Sequence, residues 1–428
     1  MNILMITNTY VPHVGGVARS VSTFSEAYRR AGHRVLVVAP TFPGTPETEQ
    51  DVFRVPAIQK FNGSDFSVRI PVPGLLGDRL DDFRPDVVHS HHPFLLGDAA
   101  LRYAASRGLP LIFTHHTMYE QYTHYVPADL AATAPFVIAL ATGYANLCDR
   151  VIAPSESIAA VLQERGVKAP ITVIPTGVDR NRFAAGDGRA LRRNYGIPAD
   201  DFVIGHVGRL APEKNIGFLA AAVASFIQEN EQARLLVVGA GPAAADIRAD
   251  FTGRRLEGRL HLAGSLQGQE LIDAYHAMDV FAFASKSETQ GMVLAEAMAA
   301  GVPVVALDAP GAREVVRDRE NGRLLPTENV DNFRTALAWL AARPAEDLAG
   351  LQQAARRTAA LFDQELCVRK ALRLYSQVEA GARDRGSYED SAWAQAIRSL
   401  EAEWHLWSSR TEAAVQALRP RARNKTKT

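Results

Sequence analysis

Residues 281–306 constrain the fold more than any other stretch of this chain: Phe281-Ala-Phe-Ala-Ser-Lys-Ser-Glu288-Thr-Gln-Gly291-Met292-Val293-Leu-Ala-Glu296-Ala-Met-Ala-Ala-Gly301-Val-Pro-Val-Val-Ala306. A short apolar run is followed by a polar loop carrying Glu288, then by good helix formers after Gly291, and finally by a glycine stop and a second apolar run. That order is strand, loop, helix, strand, one βαβ unit. Its helix opens at Gly291 on bare backbone N–H groups, where the missing side chain admits an anion and the helix dipole favours it. Glu288 precedes the helix, and Glu296 lies roughly 7 to 8 Å inside it at the usual rise per residue. Two carboxylates that accept hydrogen bonds from hydroxyls, set around a diphosphate site, suit a nucleotide sugar, with one for the ribose and one for the hexose.

The same alternation runs along most of the chain. Asn2-Ile-Leu-Met-Ile-Thr-Asn8 reads as a buried strand, and a loop holding Gly15-Gly16 leads into a helix from Arg19 to Ala31. Strand, glycines and helix again make a turn compatible with phosphate, although a simple tight turn explains Gly-Gly equally well. Further strands are expected at Gly32–Ala39, Asp86–His92, Pro110–Thr117, Arg150–Ser155 and from Ile171. A Gly- and Arg-rich stretch from Phe183 to Gly196 marks a hinge, after which the alternation restarts at Phe202. Arg209 and Lys214 share the loop that follows that strand, so both cations can reach one phosphate. Gly239-x-Gly241 lacks the third glycine of a dinucleotide fingerprint and reads as a turn. Backbone groups at the end of Leu260–Gly264 offer a place for a base edge. Pro310 to Leu325 reads as loop, short helix and turn. Helices follow at Phe333–Ala342 and, as one long segment, through Phe362 and Leu366 to Val378. The expectation is an α/β chain of two doubly wound parallel-sheet domains facing a cleft: residues 1–183, residues 184–361, a crossover helix at 362–382, and a tail at 383–428.

Composition removes several classes. At 428 residues the chain can build two large cores without staples, and 47 basic against 47 acidic side chains argues against a nucleic-acid binder. Cys148 and Cys367 are too few for a disulfide framework or a thiolate metal site, so a reducing cytoplasm is the expected compartment. Met1-Asn-Ile-Leu-Met-Ile enters a strand directly, without a basic leader. The most apolar run, Ala131 to Cys148, is interrupted by Pro135, Thr142 and Asn146 and is too short to span a bilayer. His89, His91, His92, His115 and His116 invite a metal reading, but they end separate strands and neighbours along a strand point to opposite faces. The better reading is a polar cleft lining, with His116 the candidate for an active-site role and no metal.

The tail differs from the rest. Trp393, Ile397, Leu400, Trp404 and Trp407 fall on one helical stripe that holds three of the four tryptophans, and Arg419 to Thr428 carries five basic residues and no acid. Such a helix can lie on anionic lipid, dock on the protein's own surface, or self-associate.

Gly15-Gly16, Gly208-Arg209-x4-Lys214-Asn and Glu288-x7-Glu296 in its setting together resemble the family 4 retaining glycosyltransferases of the GT-B fold, over roughly residues 1 to 380. The resemblance implies two Rossmann-like domains with the donor mainly on the second. It assigns Arg209 and Lys214 to the diphosphate, Glu288 to the donor hexose, Glu296 to the ribose, and the backbone from Gly291 through Met292 to Val293 to phosphate and sugar. It also brings Gly15 and Gly16 over the diphosphate and His116 beside the reacting sugar. His89-Ser-His91-His92-Pro-Phe94 and Thr114-His-His116-Thr-Met-Tyr119-Glu-Gln-Tyr122-Thr-His-Tyr125 are similar to the branch that adds glucose to diacylglycerol, although His-Pro-Phe-Leu stands where that branch often has Thr-Glu-Phe-Ser. The implied activity is retaining α-transfer of a hexose, most simply from UDP-glucose, to a hydroxyl acceptor such as a lipid. Its donor is a substrate and no cofactor is needed. The loops carry no Asp-x-Asp pair for a metal and no convincing covalent nucleophile. A cytoplasmic enzyme peripheral to the inner face of the plasma membrane follows if the acceptor is lipid. Mannosyl transfer from GDP-mannose, a nucleotide-sugar epimerase of the same fold and a binding module without catalysis are the alternatives.

Overall fold

The computed structural model describes residues 1–13, 15–58, 68–69, 80, 82–120, 130–384, 400–411 and 413. Packing divides the chain into two units, Met1–Ile174 with Val368–Thr428, and Pro175–Cys367.

The first unit is built on a seven-stranded parallel sheet. Its strands are β1 (Asn2–Ile6), β2 (Arg34–Pro40), β3 (Val52–Val55), β6 (Val87–Ser90), β7 (Leu111–Thr114), β8 (Arg150–Ala153) and β9 (Ile171–Val173), in the order β3-β2-β1-β6-β7-β8-β9. β4 (Ala57–Ile58) and β5 (Val68–Arg69) pair separately and antiparallel. The apolar run of β1 has no polar alternation because Ile3, Leu4, Met5 and Ile6 are all fully buried, as expected for a parallel strand covered on both faces. Helices α1 (Gly16–Arg30), α2 (Leu96–Arg107), α3 (Leu130–Asn146) and α4 (Glu156–Glu164) connect the strands. α1 buries Ala18, Val21, Phe24, Ser25 and Tyr28, one stripe of a helix, and it begins three residues before the expected Arg19.

The second unit has six parallel strands, β10 (Phe202–Val207), β11 (Ala233–Val238), β12 (Leu260–Gly264), β13 (Val280–Phe283), β14 (Val304–Leu307) and β15 (Gly322–Leu325), ordered β12-β11-β10-β13-β14-β15. Its helices are α5 (Arg180–Phe183), α6 (Gly188–Asn194), α7 (Ile216–Glu229), α8 (Ala244–Gly253), α9 (Gly268–His276), α10 (Met292–Ala299), α11 (Val330–Ala341) and α12 (Ala345–Leu361). Two apolar cores lie on the two faces of the sheet, and strand residues alternate between them. Val280 and Ala282 of β13 join the core that holds α7, while Phe281 and Phe283 join the one that holds α10. Relabelled from its first strand, the order is 3-2-1-4-5-6, which reverses between β10 and β13. Ligands of such sheets bind in the crevice at that reversal.

Three expectations about elements change. Residues 322–325, read as a turn, form edge strand β15; four residues with one arginine give too little periodicity to announce a strand. Phe362 and Leu366 do not share one helix, because α12 stops at Leu361 and α13 (Gln364–Asp384) starts anew. The restart is capped by Asp363, whose Oδ1 accepts from Glu365 N at 3.0 Å and Leu366 N at 3.3 Å. Residues 175–183, assigned by sequence to the first domain, belong to the second unit, where Val178 and Phe183 enter the core.

The second half of α13 packs in the first unit. There the buried Tyr375 hydroxyl shares hydrogen bonds with His89 Nδ1 at 2.6 Å and the Tyr28 hydroxyl at 3.1 Å. Tyr375→Phe keeps the ring but strips a buried imidazole nitrogen of its partner, which costs about 1 to 3 kcal/mol. Urea denaturation should show that loss, and an unchanged midpoint would mean the hydroxyl is dispensable.

Candidate functional site

Both loops leaving β10 and β13 carry residues singled out from sequence, and the reversal in strand order makes them neighbours. After β10 the chain turns through Gly208 to a short 3-10 turn, Pro212–Lys214. Gly239 and Gly241, read as a turn, take positive φ angles of 142° and 151°, and a side chain on either would strike the carbonyl of Gly208 or Leu210. They let the β11 loop press against the β10 loop, with Leu210 N donating to Ala240 O at 2.9 Å and Ala243 N to Leu210 O at 3.0 Å. The Gly264 carbonyl, in the segment offered to a base edge, accepts from Gly239 N at 2.7 Å.

After β13, Ser285 to Gln290 leads to Gly291, which is left-handed at φ 62° and sits at the N-terminus of α10. No side chain caps this helix and its first turn holds no acid, so the N–H groups of Met292 and Val293 open it. A Cβ on Gly291 would lie 2.6 Å from Gly311 O, and one on Gly311 would lie 2.8 Å from Glu288 Cβ. The Pro310-Gly311 turn therefore backs the Glu288 loop, a role its sequence signalled only as a turn. Gln290 was also missed: its amide donates to Thr176 Oγ1 at 3.0 Å and accepts from Thr176 N at 2.8 Å, bolting the loop to the start of the unit.

Lys214 Nζ and Glu288 form an ion pair, both side chains being largely buried. Two residues assigned to different parts of a donor thus hold each other in one place. Arg209, half exposed, pairs with Glu213, whose side chain is buried. Glu296 is also buried, and its Oε2 accepts from the Tyr275 hydroxyl at 2.7 Å. Beneath the loops, His206 of β10 is held by Ala282 O at 3.1 Å from Nδ1. Burial, reinforced by the Lys214 charge, lowers its pKa to about 4, so it is neutral. A histidine inside the apolar run of β10 was the signal for it.

In the first unit, the β1 loop runs to Gly15 and then to Gly16 at the head of α1. Gly16 is exposed and a Cβ there would meet nothing within 4 Å. The histidines separate by position. His92 Nδ1 accepts from Asn8 N at 3.1 Å, and His89 Nε2 shares a hydrogen bond with Thr114 Oγ1 at 2.7 Å. His115 packs edge-on against Phe113 and Tyr119. Only His91 and His116 meet nitrogen to nitrogen, with Nδ1 and Nε2 2.9 Å apart, so one ring donates and the other accepts. Desolvation brings His89, His92, His115 and His116 to about pKa 3 and pushes His91 well below its ordinary value, with repulsion from neighbouring cationic groups adding to it for all but His116. Among the described residues no group of three or more His, Cys, Asp or Glu side chains is arranged to hold a metal ion. Tyr122, Tyr125, Trp393 and Ile397 lie outside the described residues.

Comparison with known families decides the class of this protein. The family model described as Glycosyltransferase Family 4 matches residues 14–182, and the one described as Glycosyl transferases group 1 matches residues 187–358. The chain belongs to glycosyltransferase family 4. This glycosyltransferase is 30% identical over 332 residues to the alpha-monoglucosyldiacylglycerol synthase of Streptococcus pneumoniae, covering 76% of this chain and 75% of that one. It is 33% identical over 337 residues to the GDP-mannose-dependent alpha-mannosyltransferase of Mycobacterium tuberculosis, covering 76% and 84%. The Anabaena protein HepE, solved with UDP and glucose, shares the GT-B fold at TM-score 0.70 and 23% identity, covering 87% of this chain and 99% of that one.

Two outcomes are expected. Buried neutral histidines have folded pKa values below the unfolded 6.5, so their contribution to stability is complete above pH 6.5 and falls as pH drops from there towards 3. Denaturant midpoints measured from pH 7 to pH 4 should decline with more than a one-proton slope; a flat profile would show that the group protonates freely. Gly16→Ala at an exposed helix position should leave the melting temperature unchanged or raised, Ala being better by about 0.5 to 1 kcal/mol, while weakening donor binding at least 10-fold by calorimetry. Wild-type affinity would remove Gly16 from the donor site.

Proposed function

We propose that this family 4 enzyme transfers a hexose from a nucleoside diphosphate sugar, most simply glucose from UDP-glucose, to a lipid hydroxyl of the diacylglycerol kind, with retention of the α configuration. The observation that carries the reading is the Lys214–Glu288 pair beside the open N-terminus of α10, in the crevice between β10 and β13. Cation, carboxylate and N–H groups within one crevice match a diphosphate attached to a sugar. The name of the pneumococcal relative supports glucose and diacylglycerol.

In this reading the C1–O bond to the diphosphate breaks, and its electron pair leaves with phosphate. Lys214, Arg209 and the first N–H groups of α10 meet that charge as it develops, a fixed electrostatic stabilisation. Glu288, drawn to the sugar hydroxyls, leaves Lys214 to the phosphate. The acceptor oxygen attacks C1 from the departing face and its proton passes to a phosphate oxygen, so no covalent enzyme intermediate is formed. Glu296 serves the ribose once Tyr275 shares it. His116, neutral and set by His91, offers a hydrogen bond to the sugar, and Gly15 and Gly16 leave room for the diphosphate.

Glu288→Gln and Lys214→Ala should each lower turnover about 10² to 10³-fold, measured as nucleoside diphosphate release, while the melting temperature stays near wild type. Near-normal turnover in either variant would refute the assignment. The name of the mycobacterial relative favours a second donor, GDP-mannose, and mass spectrometry of products from both donors with a lipid extract decides between them. Donor incubated alone accumulates an epimer only if the enzyme is an epimerase.

A further inference from the structure

Residues 400–411 form a helix that packs on the first unit with the face opposite its tryptophans. Ala402, Leu406 and Ala413 are buried, and Leu406 joins the apolar core that includes Leu96, Ala100 and Tyr144. A side chain at Gly143 of α3 would overlap Ser409, so the glycine permits that approach. Two ion pairs to α2 fix the orientation, Glu403 with Arg102, and Arg410 Nη2 with Asp98 Oδ2 at 2.5 Å. At about 100° per residue, the opposite face presents Leu400, Trp404 and Trp407, which are 70%, 73% and 65% exposed. Among the described residues these three are half of the six large apolar side chains that stand exposed. Two acids border them, Glu401 and Glu403, and the second is held by Arg102. Of the alternatives open from sequence, self-docking is therefore true of this helix, but by the other stripe.

We propose that this tryptophan face is a membrane-docking surface whose occupant is a bilayer containing anionic lipid. Indole rings combine a large apolar body with one N–H donor and settle at the headgroup boundary. Charge completes the match: the chain continues beyond Ala413 to a terminal Arg419–Thr428 stretch with five basic residues and no acid. Two tryptophans and a leucine cover about 400 to 500 Å², against the roughly 800 Å² per partner of a stable protein interface, so a second copy is the weaker occupant. Among the described residues no helix is long and apolar enough to cross a membrane, and contact through this face would be peripheral. The inference deepens the lipid-acceptor reading and rests on it for its purpose, but binding is tested without any acceptor.

The full-length protein is centrifuged with vesicles of phosphatidylcholine and phosphatidylglycerol, or of phosphatidylcholine alone, neither containing diacylglycerol. Wild type should sediment with the anionic vesicles, at least 10-fold more than with the neutral ones, and less at high salt. The exposed double variant Trp404→Ala/Trp407→Ala should lose at least 10-fold of that partition with circular dichroism unchanged. Equal sedimentation of the variant, or none by wild type, overturns the proposal. A dimer in solution that the double variant dissolves would do the same, because the occupant is then a second copy. Transfer to a water-soluble hydroxyl acceptor, unaffected by these outcomes, tests the acceptor reading separately.

Discussion

Two adjacent parallel strands, β10 and β13, must send their connections to opposite faces of one sheet, and the rest of the second unit follows from that constraint. α7 packs in one apolar core and α10 in the other, so the loops that lead to them part above the strand ends and leave a crevice. Right-handed crossovers in a twisted sheet produce that divergence wherever the strand order reverses. The residues assigned to the donor in this unit lie on the two loops that part there and in α10, which the second loop enters, and the glycines at 239, 241, 291 and 311 are what allow the backbones to stand so close.

The crevice is charged but internally balanced. Lys214 and Glu288 neutralise each other, as do Arg209 and Glu213. An ion pair of this kind keeps both groups oriented and avoids leaving an isolated charge half buried. In the proposed function a diphosphate sugar presents an anion to one partner and hydroxyls to the other, so each member of the pair would be offered a substitute by the donor. The strand-end histidine group of the first unit is polar without charge. Its histidines, stripped of water, are neutral and knit β1, β6, β7 and α13 through Asn8, Thr114 and Tyr375.

The docked C-terminal helix follows a related logic on the surface. Small residues and one leucine make the contact with α2 and α3, two ion pairs set the rotation, and the large aromatic residues are left outside. A helix needing only to complete the core would place its largest apolar groups inward, since burying one of them gains about 2 to 3 kcal/mol. The arrangement here places that free energy where a further surface can collect it.

Much of this was legible in the chain alone. Apolar runs bounded by turn residues located most strands of the two sheets, and Gly291 between Glu288 and Glu296 located the start of α10, because periodicity and glycine placement are local properties. Edge strand β15 was not legible, since a four-residue strand is settled by the strand beside it; the break at Phe362-Asp363 combines a local cap, which Asp363 could have signalled, with backbone pairing to Val178, which lies far along the sequence. Nor did spacing show that Lys214 would pair with Glu288, that Gln290 would bolt to Thr176, or that only His91 among its neighbours would face His116. Sequence determined the tryptophan stripe by its period. Which side of that helix faces solvent was decided by Gly143, Asp98 and Arg102, residues about three hundred positions away that only the folded chain brings beside it.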